Sequence, residues 1–248
     1  MEKLDLKDRK ILYHLDLDSR QSFTQIGKKA GLHKDAVARR VKKLIEKDII
    51  YNFYTYIDLS KLGYTIIRYY FVLQYATPEI KDEIIKDLVQ NKFSMFVNTN
   101  EGQIDLSAYF GVKNIYEFQR EWNKFYRKYR NYFSKTIFSI WCFENMYTYF
   151  NLLDENANKR TDKDKVMKFG GGPRIDIDEL DNKILKLLAP NSRISTIEIA
   201  QELGVTASTI SARIKNLKKK GIIVGHKIDI NFSKLDLNFY RLDIDLKD

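Results

Sequence analysis

The sequence predicts an α+β fold in which one basic three-helix unit occurs twice, on either side of an open, aromatic-rich βαββαβ sandwich. Three observations carry this expectation. The stretch Gly31 to Lys47 returns as Gly204 to Lys220, 173 positions later. Between Ile66 and Tyr147 the pattern leaves the all-helical period and alternates strand with helix. In the same region, 23 of the chain's 33 aromatic side chains fall between Tyr64 and Phe150.

At 248 residues the chain holds two or three small domains, each able to bury a core, and the repeat favours three. The net charge of +10 favours a polyanionic partner, either nucleic acid or an anionic membrane surface. No run of about 18 apolar residues is present, so no bilayer-spanning segment is expected. Met1 to Asp5 lacks the apolar core of a signal peptide. The single cysteine, Cys142, precludes an internal disulfide and fits a reducing cytoplasm. Its apolar surroundings, Ile137 to Phe143, predict a buried thiol that only packs.

Leu4 to Leu17 reads as a helix with Asp5 as N-cap, Asp8 in the acidic first turn, and Ile11, Leu12 and Leu15 as an apolar stripe. Ser22-Phe23-Thr24-Gln25 has the form of a capping box, Ile26 and Ala30 face inward behind it, and Gly31 ends the helix. In the basic helix, Val37, Val41, Leu44 and Ile45 form one stripe while Asp35, Arg39 and Lys42 point away from it. Ile49 to Ile57, rich in β-branched and aromatic residues, reads as a short strand pair, a wing. Residues 1–63 are therefore expected to form a winged helix-turn-helix.

From there the order is strand Ile66 to Gln74, helix Pro78 to Gln90, a hairpin of Phe93 to Thr99 with Ile104 to Gly111, helix Asn114 to Tyr129, and a long strand Thr136 to Tyr147. This is a ferredoxin-like sandwich over residues 64–150. So much aromatic surface on an open sheet predicts that its outer face is covered by a second subunit. Residues 151–176 read as a linker, charged at first and then Gly170-Gly171-Gly172-Pro173. That glycine run lacks the Gly-Lys-Ser/Thr of a phosphate loop, and Pro173 removes an amide donor.

Residues 177–236 repeat the opening. At an offset of 173, Asp5, Asp8, Ile11, Leu12, Leu15, Ser19, Arg20, Ser22, Ile26, Gly31, Arg40, Lys42 and Leu44 all recur, which marks a duplication. Ser195-Thr196-Ile197-Glu198 repeats the capping box, and Thr206 is a better N-cap for the second basic helix than His33 is for the first. Leu237 to Leu246 matches the first strand of the sandwich. Residues 237–248 are therefore expected to open an incomplete second sandwich, with the natural chain continuing beyond them.

The pattern Leu4-Asp5-x-x-Asp8-x-x-Ile11-Leu12, then Ser19-Arg20, then Ile26 and Gly31-Leu32 ahead of the basic helix, resembles the Lrp/AsnC regulator family over nearly the whole chain. The resemblance implies a DNA-binding helix-turn-helix followed by a ferredoxin-like effector and dimerisation domain with a Gly-x-x-Asp turn. Gly102-Gln103-Ile104-Asp105 matches that turn. Gly102, Gln103 and Asp105 are then expected to take an amino acid or another small effector, with Asp105 alternatively stabilising the turn itself. Two DNA-binding units on one chain and the aromatic-heavy sandwich depart from the family's pattern.

Charge follows the helix-turn-helix: residues 1–63 carry 14 basic and 9 acidic side chains, against 11 and 9 in residues 64–150. Lys34, Asp35, Arg39, Arg40, Lys42 and Lys43 of the first basic helix, with Ser208, Thr209, Arg213, Lys215 and Lys219 of the second, are the expected DNA contacts, the cations on phosphates or guanine edges. The expectation is a cytoplasmic, sequence-specific transcriptional regulator. Its expected partners are double-stranded DNA, a small effector and a second copy bound through the sandwich sheet, with no cofactor, metal or membrane. The alternative is a DNA-compacting protein of low sequence preference. Some relatives with this two-domain plan are siroheme decarboxylases. His14, His33 and His226 all lie in or beside the helix-turn-helix units, however, leaving the sandwich no imidazole for acid/base chemistry or haem ligation, so an enzyme is not expected.

Overall fold

Polar side chains set the helix starts in this chain, and the apolar stripes behind them set what packs. The computed structural model describes residues 4–149, 152, 166–238, 240, 242 and 244. In chain order the elements are α1 (Leu6–Leu17), α2 (Phe23–Ala30), α3 (Lys34–Glu46), β1 (Ile50–Ile57), β2 (Thr65–Leu73), α4 (Pro78–Gln90), β3 (Ser94–Thr99), β4 (Leu106–Val112), α5 (Ile115–Tyr129), β5 (Phe133–Trp141), β6 (Glu144–Met146), β7 (Met167–Phe169), α6 (Glu179–Leu188), α7 (Thr196–Leu203), α8 (Ala207–Lys219) and β8 (Ile223–Ile230). The mixture of helices and sheets is the α+β class expected. The chain divides into two compact units: residues 1–57, 145–168 and 177–248 form one, and residues 58–144 and 169–176 the other.

In the first unit, Asp5 accepts the Asp8 amide at the start of α1, and Ser22 and Gln25 form a complete capping box on α2. Gly31 ends α2 at φ 66°, the left-handed conformation a side chain would resist. Ser195 and Glu198 repeat the box on α7, and Thr206 accepts the Thr209 amide on α8, whereas His33 gives α3 no side-chain cap. Ile11, Leu12, Leu15, Ile26, Val37, Val41 and Leu44 close one core, with Ile228 and Ile230 of β8 packed into it. Ile45, expected on the same stripe, is 43 % exposed.

The expected wing pair is a correction. Residues 50–57 make one strand, β1, with no turn inside it, and its antiparallel partner is β8, the matching strand of the other copy. An eight-residue strand has no hairpin of its own, and the duplicate supplies the complementary edge.

The second unit holds the four-stranded antiparallel sheet, ordered β3-β4-β2-β5. Alternate residues of β2 and β4, namely Ile67, Phe71, Leu106, Ala108, Phe110 and Val112, join Phe118, Trp122, Phe125 and Tyr129 of α5 and Ile84 and Leu88 of α4 in its core. Here the aromatics pack on one another: Tyr69 stacks on Trp122 at 3.7 Å between centroids. Much of the aromatic excess is thus this unit's own core.

Four further expectations are corrected. The strand expected to run from Thr136 to Tyr147 stops at Trp141, where its ladder with β2 ends at the Ile66–Trp141 pair. Cys142 lies past that end and is exposed, not buried. In the expected linker, residues 167–169 form β7, which pairs with β6; residues 151 and 153–165 lie outside the described ones. Of the strand expected at 237–246, the described residues Leu237, Asn238, Tyr240, Leu242 and Ile244 lie in no strand. Residues 239, 241, 243, 245 and 246 lie outside the described ones; among the described residues no strand pairs with this segment, and a lone strand has no ladder to hold it extended.

Candidate nucleic-acid interface

A helix-turn-helix works only if its second helix is held rigidly with one face outward, and in this chain the holding is done by repeated polar contacts. The turn from α2 into α3 is tight: a Cβ on Gly27 would lie 2.4 Å from the Leu32 carbonyl oxygen, and the Leu32 amide donates to the Gly27 carbonyl at 2.9 Å. The Lys7 ammonium closes the end of α2 from outside, donating to the Ala30 carbonyl at 2.7 Å.

Arg40 points from α3 to the start of α1, donating to Asp5 at 2.8 Å and Asp8 at 2.7 Å. At the matching positions Arg213 pairs with Asp178 and, at 3.4 Å, with Asp181. Burial alone would raise the Asp5 carboxyl, but the Asp8 amide and the Arg40 guanidinium outweigh it and hold Asp5 below the usual range. The Asp181 amide and then Arg213 lower Asp178 in the same way. Arg40 and Arg213 were expected on DNA; their guanidinium groups instead clamp each basic helix to the first helix of its own unit.

The other expected contacts fall as follows. Lys34, Asp35, Arg39, Lys42 and Lys43 of α3 are exposed, with Lys42 near Glu46 at 3.8 Å and Asp35 near His33 at 3.3 Å. On α8, Ser208, Lys215 and Lys219 are exposed, while Thr209 is half-buried with its hydroxyl 2.9 Å from that of Thr206. In the second unit Gly102, at φ 119°, and Gln103 are exposed. Asp105 is half-buried, and its carboxylate accepts the Leu73 amide of β2 at 2.7 Å, extending the sheet by one bond. Among the described residues no cluster of His, Cys, Asp and Glu suits a metal ion, and no helix is long and apolar enough to cross a membrane.

The residues that sequence reasoning missed hold the two copies together. Ser19 and Ser192 are 173 positions apart, and their hydroxyls meet at 2.6 Å. Arg20 donates to the Ser192 and Ile194 carbonyls at 2.5 and 3.0 Å, and Arg193 returns the contact to those of Ser19 and Gln21 at 2.6 and 3.4 Å. In the β1–β8 ladder Tyr54 lies opposite Lys227, its own counterpart. Lys227, 3 % exposed, meets the fully buried Asp16 of α1 at 2.7 Å, and Asp16 also accepts the Tyr149 amide. Burial pushes the Asp16 carboxyl up, against the pull of Lys227. His226, buried beside Thr55 at 3.0 Å, is depressed to about 3 by burial and by Lys218 and Arg20. Ser19 and Arg20 were visible as landmarks of the repeat, but nothing local said that they face each other's copies.

Two family profiles match the chain: an AsnC-type helix-turn-helix domain over residues 4–45, and a winged helix-turn-helix DNA-binding domain over residues 177–224. The HTH-type transcriptional regulator LrpA of Pyrococcus horikoshii is 44 % identical over 64 residues, which cover 26 % of this chain and 45 % of that protein. The chain thus spans less than half the length of the curated relatives it matches. Among solved structures, the siroheme decarboxylase NirDL superposes at a TM-score of 0.57 and 14 % identity, covering 90 % of this chain and 65 % of that one. A transcriptional regulator of Neisseria meningitidis in complex with L-Met superposes at 0.50 and 15 %, covering 59 % and 95 %. At these identities both show shared fold alone. With an AsnC-type helix-turn-helix match at its N-terminus, a second winged helix-turn-helix match near its C-terminus and a relative named LrpA, the chain is similar over these two segments to the Lrp/AsnC regulators.

Proposed function

We propose that the protein is a DNA-binding transcriptional regulator that recognises specific sequences through α3 and α8. Its architecture is read as two winged helix-turn-helix units around a ferredoxin-like sandwich. The observation that carries the reading is that each basic helix is clamped by its arginine to its own unit, while Arg39, Lys42 and Lys43 on one and Ser208, Lys215 and Lys219 on the other stay exposed. That is the division a major-groove helix needs, with rigid support on one side and donors on the other. A cytoplasmic location goes with this DNA-binding reading, and a second copy is proposed to associate through the sandwich sheet.

An amino acid or similar effector at Gly102, Gln103 and Asp105 is supported by the solved L-Met complex of the meningococcal neighbour. The neighbour NirDL, alike over 90 % of the chain, raises a catalytic reading, but the chain's three histidines all lie outside the sandwich. Compaction of DNA without sequence preference is the remaining alternative.

The test is fluorescence anisotropy on specific and scrambled duplexes at several salt concentrations. Arg39→Ala is expected to cost about 1–3 kcal/mol on the specific duplex and to relax base preference there. Lys215→Ala is expected to weaken both duplexes alike and reduce the salt slope by roughly one unit. Equal weakening of both duplexes by Arg39→Ala sinks the reader role of α3 and favours compaction.

A further inference from the structure

The contacts between the two copies are reciprocal. Arg20 grips the Ser192 loop as Arg193 grips the Ser19 loop, and the Ser19 amide donates to the His226 carbonyl as the Ser192 amide donates to that of Phe53. In the ladder, Phe53 pairs with Ile228 and Thr55 with His226, each pair the other's image under the offset of 173. A local two-fold axis therefore passes between Ser19 and Ser192 and through the Tyr54–Lys227 pair, and it relates α3 to α8. Two-fold helix-turn-helix dimers place their second helices in neighbouring turns of the major groove. Here one chain supplies both.

The symmetry is broken at two places that matter. The buried ion pair Lys227–Asp16 has no image: the matching positions are Tyr54 and Ala189, 173 residues away. Pairing two first copies would bury Asp16 twice with no cation. Pairing two second copies would set Lys227 against Lys227 with no carboxylate. A buried charge without its partner is strongly destabilising, so only unlike copies pair. The outward faces also differ at matched positions: Lys34 against Ala207, Asp35 against Ser208, Arg39 against Ala212, Lys43 against Asn216 and Glu46 against Lys219. Arginine grips guanine bidentately and aspartate accepts from cytosine N4, while alanine does neither and serine takes either edge.

We propose that this unit reads one non-palindromic DNA site, α3 taking one half and α8 a different half in fixed order, with a single chain per site. The proposal rests on the DNA-reading function above and names its substrate class. Site selection with the full chain on random duplexes is expected to yield a motif of two dissimilar blocks about one helical turn apart. Duplexes built by inverting either block into a perfect palindrome are expected to bind at least about tenfold more weakly than the selected site, since each mismatched base pair carries a substantial penalty. With duplex in excess, titration is expected to saturate at one duplex per chain, each copy of a sandwich-paired dimer holding its own duplex. Arg39→Ala is expected to relax one block only, and Ser208→Ala the other only. A palindromic best site, palindromised duplexes that bind as well as the selected one, or two chains per site would overturn the proposal and leave the DNA-reading function standing. Absence of any selected motif would overturn that function, and this proposal with it.

Discussion

Asp16→Ala is the substitution whose effect the duplication lets us calculate from within the molecule. The Asp16 side chain is fully buried, its carboxylate lies 2.7 Å from the Lys227 ammonium, and it accepts the Tyr149 amide. Removing it leaves Lys227 buried without a counter-charge, a change that costs about 3–5 kcal/mol in comparable pairs. The other half of the interface already runs without ions, since Ala189 and Tyr54 stand in the matching places. Asp16→Ala combined with Lys227→Tyr makes the two sides alike and is expected to lie within about 2 kcal/mol of the wild type, because it removes both charges together. Urea unfolding of the full chain and both variants, compared at equal m-values, measures the cycle. If the double variant is no more stable than Asp16→Ala, the cost lies in lost packing around Asp16, and the argument from the unpaired ammonium fails.

Two other predictions concern titration and the effector turn. The folded-state value of His226 lies at about 3, below the ordinary 6.5, so the unfolded chain takes up its proton first on acidification. Stability is therefore full above about pH 6.5 and falls as pH drops towards 3, by at most about 5 kcal/mol from this group. His226→Gln should flatten that slope in urea titrations between pH 7 and 4, and an unchanged slope would assign it to other groups. Asp105→Ala should cost the sandwich about 1–2 kcal/mol by orphaning the Leu73 amide, while Asp105→Asn keeps an acceptor oxygen and should cost little. Calorimetry of Asp105→Asn against a panel of amino acids then isolates the charge. A ligand that binds wild type and Asn variant equally does not place its ammonium on Asp105.

What was legible in the sequence is what neighbours in the chain decide. Stripes such as Ile11, Leu12 and Leu15, the two capping boxes and the Gly31 stop follow from spacing alone, and the structure shows each of them. The βαββαβ order was legible for the same reason. What was not legible depends on partners far away in the chain. The edge of β1 is filled from β8, a match of register that no window of 20 residues contains. Arg40 carries the same charge whether it faces a phosphate or an aspartate, and only the position of Asp5 and Asp8 over α3 decides between them. Cys142 sits in an apolar run, yet one residue beyond the last ladder pair is enough to expose it.

The pairing of β1 with β8 also sets a clock on synthesis. The edge of β1 leaves the ribosome some 173 residues before its partner does. At ordinary elongation speeds of about 5–20 residues per second, that is a wait of roughly 10 to 35 seconds. Throughout it, Ile50 and its neighbours present an unsatisfied strand edge to every other nascent chain on the same message. Slowing translation within the sandwich's codons lengthens the wait, and speeding it shortens the wait, so the yield of soluble protein should follow codon choice in a region that never touches the paired strands.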